Sequence, residues 1–147
     1  MENEIIKRAG EFINSISGGI GDGMLGFLTI SVIDEDGFPN ASTATVARND
    51  GIKTITILSG LDSNKVKRLL KNNKASICFS LDKHNISLVG TAEILTDLKS
   101  KQENWYDAMT EMGVGPESDA GCVIKFTTMR YNIFFADDME STAVGKI

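Results

Sequence analysis

The sequence predicts a mainly β domain, a small β-barrel with peripheral helices, for three reasons. Successive segments alternate apolar and polar residues as half-buried strands do, short turn signals separate them, and a short helical segment follows the third strand. An alternating β-α-β chain would place a helix after each strand, and closure into a barrel removes the exposed edges of a sheet. The chain of 147 residues has the size of one domain, so we expect a single barrel over residues 1–147.

An amphipathic helix is predicted at the start of the chain. Apolar residues recur at helical spacing between Ile5 and Ile16, and the Gly18-Gly19 pair is a typical end signal. The spacing then changes to alternation, and the next elements form a meander of three strands. They are a strand from Leu25 to a turn over 34–37, a strand over 40–47 that ends at a turn over 48–51, and a strand over 53–59.

The second half of the chain is predicted to return to the sheet after a short helix. Asp62 or Ser63 can cap that helix, and Val66, Leu69 and Leu70 are expected to supply its buried stripe. The later elements are strands over 75–81 and 86–95 joined by a turn over 82–85, a helix over 97–112, and strands over 122–127 and 131–135. The tail from Asp137 is expected to be ordered only where it packs against the barrel.

Composition and charge disfavour several classes of function. Hydrophobic residues make up 41% and charged residues 24%, which is typical of a globular protein. The net charge of -5 and the lack of a basic stripe disfavour nucleic acid and anionic membranes as partners. No apolar run approaches the ~20 residues of a membrane span and the first residues do not resemble a signal peptide, so we expect a cytoplasmic protein. Cys78 and Cys122 form no metal or disulfide motif and are expected in the core.

Three motifs are better explained by ordinary structure than by a binding site. The glycine run over 18–23 lacks the Gly-x-Gly-x-x-Gly spacing of a dinucleotide site and follows a helix. The acidic turn over 34–37 lacks the third ligand and the distal Glu of a calcium loop, which favours a hairpin turn. His84 is the only histidine, so no metal site or Ser-His-Asp set is indicated, and we expect a solvated turn residue.

The segment from Ser59 to Lys65 has the composition of a phosphate site. It joins the end of a strand to the start of a helix and combines hydroxyl groups, the flexible Gly60 and a cation. Free N–H groups at a helix N-terminus attract anions, and Ser63 and Lys65 can add an O–H and an ammonium group. A helix cap followed by a solvated lysine explains the segment equally well, so its residues alone do not decide.

The second predicted strand is unusually rich in small side chains and hydroxyl groups. The hydroxyl groups belong to Ser42, Thr43 and Thr45, and the small neighbours are Ala41, Ala44 and Ala47. A large flat ring could lie close to such a backbone. The alternative is a twisted strand whose small residues make room for a packed helix.

Several short motifs stand in a defined order along the chain. They are Gly37-Phe38-Pro39 at the start of strand two, the strand-end Ser59, Ser63-x-Lys65-Val66-x-x-Leu69, Asn-Asn-Lys-Ala-Ser-Ile over 72–77, and Val-Gly-Thr-Ala-Glu-Ile over 89–94. Their order and spacing, over residues 5–135, resemble the pyridoxamine 5'-phosphate oxidase-like flavoproteins. Within that family, the motifs most resemble those of the short general-stress-protein branch.

The resemblance implies an FMN-binding split β-barrel that forms a homodimer, with one FMN in each of two clefts at the subunit interface. By position it implies a set of cofactor-binding residues. They are Ser42, Thr43, Ala44, Thr45, Ile57 and Leu58 along the ring and ribityl chain, and Ser59, Ser63, Asn64 and Lys65 around the phosphate. Many relatives also carry an Arg or Lys on strand two, where this chain has none over 40–43. Arg48 and Lys53 are the candidate substitutes.

The implied function is that of an FMN-binding flavoprotein and flavin-dependent oxidoreductase whose substrate stays open. No catalytic acid or base stands out, and the Trp105-Tyr106 pair fits core packing better than a contact with a partner's ring. True pyridoxamine 5'-phosphate oxidation is not expected, because the substrate-binding Arg and His pattern is absent and Arg130 alone does not restore it. The resemblance leaves two alternatives: a haem or deazaflavin protein, and a non-catalytic dimeric stress-response or binding module.

Overall fold

The computed structural model describes residues 2–19, 27–81, 83–137 and 141–147 of the chain. These residues form helices and strands in the following order. The elements are α1 (Glu2–Ile16), β1 (Phe27–Ile33), β2 (Pro39–Asp50), β3 (Thr54–Gly60), α2 (Asn64–Lys71), β4 (Lys74–Leu81), β5 (His84–Leu95), α3 (Leu98–Asn104), α4 (Asp107–Glu111), β6 (Gly121–Phe135) and β7 (Ser141–Lys146).

The strands form one antiparallel sheet that closes on itself. Neighbours in the sheet follow the order β3-β2-β1-β4-β5-β6-β7, and β3 also pairs with β6. The closing contact runs from the Thr54–Thr127 pair to the Gly60–Gly121 pair. Six strands therefore make a closed barrel, and β7 is added along the second half of β6. The predicted mainly β barrel with peripheral helices is confirmed, as is the meander of the first three strands.

Apolar side chains at alternate positions of the strands fill the barrel. Its largest fully buried side chains are Phe79, Phe126, Phe135, Ile13, Ile30, Ile55, Ile57, Ile77, Ile86, Leu88, Ile124 and Ile133. Each such side chain stabilises the fold by about 1.5–3 kcal/mol through the apolar area removed from water. Helix α1 packs against β2, β6 and β7, and α2 packs against β1 and β5. In α2, Val66 and Leu69 are buried as predicted, whereas Leu70 is exposed, because the contact between this short helix and the sheet does not extend to it. The helix α1 comes so close to the β2–β3 turn that a methyl group on Gly10 would lie 2.8 Å from the Gly51 Cα.

Strand β6 is one continuous strand, where the sequence predicts two. Its buried side chains alternate in one phase up to Thr128 and in the opposite phase from Tyr131. The phase changes at Met129, which has no partner in β5. A β-bulge therefore interrupts the alternation, and local spacing alone makes that interruption look like a gap between two strands.

The helix predicted over 97–112 is two shorter helices, α3 and α4. The break falls at Trp105, whose indole N–H donates to the Val114 carbonyl at 3.0 Å. One turn earlier, the Lys101 ammonium group donates to the Ser118 carbonyl at 3.0 Å. The loop between α4 and β6 is therefore tied to α3 at two points. Such tertiary contacts decide helix ends that local spacing does not.

His84 is not the solvated turn residue that the sequence predicts. It begins β5, and its ring centroid lies 4.6 Å from that of Phe12 and 5.0 Å from that of Phe135. Above Phe135, the guanidinium group of Arg8 lies 4.0 Å from the ring centroid and binds the Asp137 carboxylate at 2.5 Å. The Nδ1 atom of His84 is buried without a hydrogen-bond partner among the described residues. The prediction is wrong because helix α1 covers this end of the barrel.

The acidic turn over 34–37 is a hairpin turn, as predicted. One carboxylate oxygen of Asp34 accepts hydrogen bonds from the backbone N–H groups of Phe38 at 2.9 Å and Asp36 at 3.0 Å. The bond from Phe38 is the main cause that holds the pKa of Asp34 below its usual value. Gly37 has a φ of 84°, a backbone conformation that favours glycine.

The C-terminal tail and one cysteine differ from expectation. Residues Ser141–Lys146 form β7, so the tail does pack on the barrel. Cys122 is fully buried as predicted, whereas Cys78 is only partly buried and belongs to the outward positions of β4. The predicted strand start at Leu25, most of the glycine run over 18–23, and position 82 of the predicted turn lie outside the described residues.

The hydroxyl group of Thr128 offers a test of the packing between β6 and the β2–β3 turn. It donates to the Ile52 carbonyl at 2.5 Å, and Thr128 is 4% exposed. Thr128→Val keeps the shape but removes this donor, so we expect the free energy of unfolding to fall by about 1–3 kcal/mol. The effect is measured by comparing the thermal unfolding midpoints of Thr128→Val and Thr127→Val, since Thr127 is an exposed neighbour. Equal midpoints for the two variants would contradict the prediction.

Candidate functional site

The candidate site lies where two neighbouring strands part. β2 and β3 are paired as far as Val46 and Ile57. Beyond that point, among the described residues, β3 pairs only with β6 and β2 pairs only with β1. Residues 39–45 of β2 and 58–60 of β3 therefore each have one unpaired edge. The gap between these edges is the split of the barrel.

The start of helix α2 follows directly on the β3 side of the split. Ser63 caps the helix, since its Oγ accepts a hydrogen bond from the Val66 N–H at 3.3 Å. The Ser59 Oγ lies 3.2 Å from the Ser63 Oγ. The backbone N–H groups of Asn64 and Lys65 make no hydrogen bond to the residues that the structure describes, as is usual in a first helical turn. The turn therefore offers hydroxyl and N–H donors to an anion.

Lys65 supplies the positive charge in this turn. It is half-buried, and within the described part of the chain it has no hydrogen bond or ion pair. Burial lowers the pKa of the Lys65 ammonium group, because removal from water disfavours the charged form. Its neighbour Arg68 is engaged by Glu35 at 3.2 Å. An anion beside Lys65 would replace the lost solvation, and a phosphate group is suited to that position.

The other predicted cofactor residues lie on the two strands at the split. The exposed members of the set are Ser42, Thr43 and Asn64, and the half-buried members are Ala44, Thr45, Leu58 and Ser59. Ile57 differs, because it is 1% exposed and its side chain packs in the barrel core. Ile57 therefore offers almost no surface to a ligand, and its neighbours Leu58 and Ser59 do. The divergence of β2 and β3 places the two strand segments and the α2 turn around one gap.

Tyr106 borders this region, although the sequence predicts a core position for it. Its ring lies against Gly19, where an added methyl group would be 2.6 Å from two ring carbons. Burial raises the pKa of the Tyr106 phenol, and a hydrogen bond with Thr45 partly offsets the rise. The Gly18 and Gly19 N–H groups donate to the Val46 carbonyl, which holds this segment against β2. The break between α3 and α4 positions Tyr106. The sequence has no Gly or Pro at this point, so it gives no signal for the break.

Neither candidate substitute for the missing strand-two cation lies at the α2 turn. Arg48 donates to the Glu103 carbonyl at 3.0 Å, which directs its side chain to helix α3. Lys53 precedes the first residue of β3, whereas Ser59 is near the last. Six residues of extended strand span about 20 Å, so Lys53 is far from Ser59. Among the described residues, Lys65 is therefore the cation of these three that lies at the α2 turn.

Other kinds of site are not indicated in the described residues. No group of three His, Cys, Asp or Glu side chains there could hold a metal ion. In the same part of the chain, no helix is long and apolar enough to cross a membrane. The candidate site depends on hydroxyl, N–H and ammonium groups, which are donors for anions.

Comparison with protein-family models identifies the family. The model described as pyridoxamine 5'-phosphate oxidase matches residues 25–134, which is most of the chain. The chain belongs to the pyridoxamine 5'-phosphate oxidase family. The matched residues include both strand edges and the α2 turn, so the family covers the whole candidate site. A search of proteins with curated functions found no match.

Solved structures with the split-barrel fold align with most of this family member. A Clostridium acetobutylicum protein related to general stress protein 26 of B. subtilis aligns over 100% of this chain and 97% of its own, with TM-score 0.81 and 25% identity. General stress protein 26 from Bacillus anthracis aligns over 97% and 98%, with TM-score 0.74 and 15% identity. A pyridoxamine 5'-phosphate oxidase-related, FMN binding protein from Nostoc punctiforme aligns over 81% and 79%, with TM-score 0.59 and 11% identity. The predicted family and its split-barrel fold are confirmed.

Proposed function

We propose that this protein binds FMN at the split between β2 and β3 and uses it for redox chemistry. The turn at the start of α2 carries the proposal, because Ser59, Ser63 and Lys65 there combine donors with an unpaired positive charge among the described residues. A phosphate group is the anion that such a turn accommodates. The family and the FMN binding stated for the Nostoc punctiforme protein support the proposal.

The strand edges suit the rest of a flavin. Over 41–45, no side chain of β2 is larger than threonine, so a flat ring can approach the backbone. The unpaired strand edges offer N–H and C=O groups to the polar atoms of the ring, and the half-buried Leu58 offers apolar contact. When bound, FMN would supply the hydride or electron transfer. The chain would hold the phosphate through Ser63 and Lys65 and orient the ring against β2.

We further propose that the protein works as a homodimer. Side chains of a strand alternate between two faces, yet the first five positions of β2 are all exposed: Pro39, Asn40, Ala41, Ser42 and Thr43. Nearby, Phe27 is 46% exposed and Phe38 is 66% exposed. A second copy that covers this strand would bury both rings and shield the gap from water.

We also propose a cytoplasmic location. Cys78 and Cys122 are free thiols, and free thiols persist in a reducing compartment. Fractionation of the native cells would check this, and recovery from the membrane or the medium would contradict it.

An absorbance spectrum combined with gel filtration tests the cofactor and the dimer. We expect protein incubated with FMN to keep a flavin absorbance band at about 450 nm after the free flavin is removed. We expect light scattering to give twice the chain mass of 15.9 kDa. Protein that stays colourless after FMN is added would contradict flavin binding. An absorbance band at about 400 nm would indicate haem instead. A mass of 15.9 kDa would contradict the dimer.

A further inference from the structure

We propose that the outer face of the barrel carries a second site, which binds the phosphate or carboxylate group of a small molecule. A cleft of about 730 Å³ lies there, across β1, β4, β5, β6 and β7. Three cations line the cleft, Lys74, Arg130 and Lys146, and no Asp or Glu side chain is part of its described lining. Such a concentration of positive charge is unusual in a chain with a net charge of -5.

The register of the sheet brings these cations together. Arg130 is directly opposite Lys146 in the β6–β7 pair. Like charges on directly opposed residues destabilise a sheet. Within the described residues, neither of them nor Lys74 has an ion pair or a side-chain hydrogen bond. An anion between the cations would remove the repulsion, so this arrangement favours a bound anion.

The β-bulge directs Arg130 to the outer face. Without the extra residue Met129, position 130 would share the inward phase of Thr128. With it, Arg130 is exposed on the outside. Gly90 lies opposite the bulge and permits a close approach of the two strands, because a methyl group there would collide with the Thr127 carbonyl. Bulges often re-aim a side chain next to a binding site.

Hydroxyl groups and apolar side chains complete the cleft. Ser31 is paired with Ser76, and Thr91 is paired with Lys74. These three hydroxyl groups line the cleft and make no hydrogen bond to the described residues. The apolar part of the lining includes Ile33, Pro39, Met129 and Ile147. This combination suits an organic phosphate or carboxylate, whose apolar part would contact the same cleft.

The cleft lies beside the proposed flavin gap. Pro39 lines the cleft and also begins β2, whose residues over 42–45 border the gap. Ser42 lies about 10 Å further along the strand from Pro39, at the usual rise per residue. The cleft is then the subsite for the anionic group of the substrate that the flavin oxidises or reduces. That role rests on the proposed function, whereas anion binding itself does not.

Phenyl phosphate is the probe for this site. Isothermal titration calorimetry on the full chain, with and without FMN, measures its dissociation constant. We expect Arg130→Gln and Lys146→Gln each to weaken phenyl phosphate binding by about tenfold, through the loss of a charge-assisted hydrogen bond. Lys99→Gln removes an exposed cation on α3 and should change the affinity by less than about twofold. The titration of FMN-loaded protein, in which the flavin phosphate would occupy the α2 turn, separates this site from that turn.

Thermal unfolding gives a second readout that needs no FMN. Arg130→Gln relieves the repulsion with Lys146, so the midpoint of the ligand-free variant should rise by about 1–3 °C. The same variant should lose the rise in midpoint that phenyl phosphate causes in the unchanged protein.

The anion site and the proposed function can fail separately. A wild-type protein that ignores phenyl phosphate, or an Arg130→Gln variant that binds it unchanged, would overturn the anion site. An equal loss in Lys99→Gln would overturn it as well, because binding would then follow net charge. Failure to bind FMN while phenyl phosphate still binds would overturn the proposed function and leave the anion site standing.

Discussion

Replacing Lys65 with alanine is expected to weaken FMN binding by about one to two decades, while the fold and the dimer stay intact. Lys65 is the positive charge of the first turn of α2, and no partner among the described residues neutralises it. Arg48 and Lys53 cannot take its place, since Arg48 is bonded to helix α3 and Lys53 is at the far end of β3. Quenching of flavin fluorescence on titration with protein measures the dissociation constant.

Lys67→Ala is the matched control for this variant. It removes the same charge from the same helix, but Lys67 is exposed and lies two residues further along, about 200° around the helix axis from Lys65. Riboflavin, which has no phosphate, provides the second control and should bind Lys65→Ala and wild-type protein alike. Equal FMN affinities for the two lysine variants would contradict the phosphate assignment. An equal loss for riboflavin would mean that Lys65 contacts the ring instead of the phosphate.

Replacing Gly90 with alanine is expected to lower the free energy of unfolding by about 3 kcal/mol. The added Cβ would overlap the Thr127 carbonyl oxygen and lie 2.9 Å from the Thr127 carbonyl carbon and 3.1 Å from the Thr128 Cα. All of these are backbone atoms at the bulge, so no side-chain rotation can relieve the overlap. The two strands would have to separate locally, at the cost of sheet hydrogen bonds. Urea unfolding followed by circular dichroism measures the change.

Ser87→Ala is the control on the same strand. Ser87 belongs to the outward positions of β5, so its loss should change the free energy of unfolding by less than about 0.5 kcal/mol. A Gly90→Ala variant that unfolds at the urea concentration of Ser87→Ala would contradict the close approach at the bulge. A Gly90→Ala protein that does not fold would agree with the prediction, because its loss of free energy of unfolding would be larger still.

Local spacing predicts the elements whose partners are close in the sequence. Helix α1 ends at Ile16 before the Gly18-Gly19 pair, and α2 begins after its Ser63 cap, both as expected. The β1–β2 hairpin follows from its turn, because Asp34 closes it through bonds to its own backbone neighbours. These features depend on contacts within a few residues, which a sequence pattern records directly.

The candidate site was predictable on one side only. The segment from Ser59 to Lys65 is continuous, so its donors and its cation could be grouped from the sequence. The β2 residues over 42–45 were added to this group by the family resemblance. The physical basis is that β2 and β3 are not paired on the N-terminal side of Val46. Tyr106 could not be predicted, because its place depends on a helix break that tertiary contacts cause.

The sequence by itself determined the fold class, the meander and the capped helix α2, since each depends on periodicity or on neighbours along the chain. The tertiary structure decided the closure of β3 on β6, the packing of the His84 ring against Phe12 of α1, and the bulge that places Arg130 opposite Lys146. These features depend on the register between segments that are far apart in the chain. A shift of one residue in register moves every side chain to the opposite face of the sheet, and local spacing carries no record of that choice.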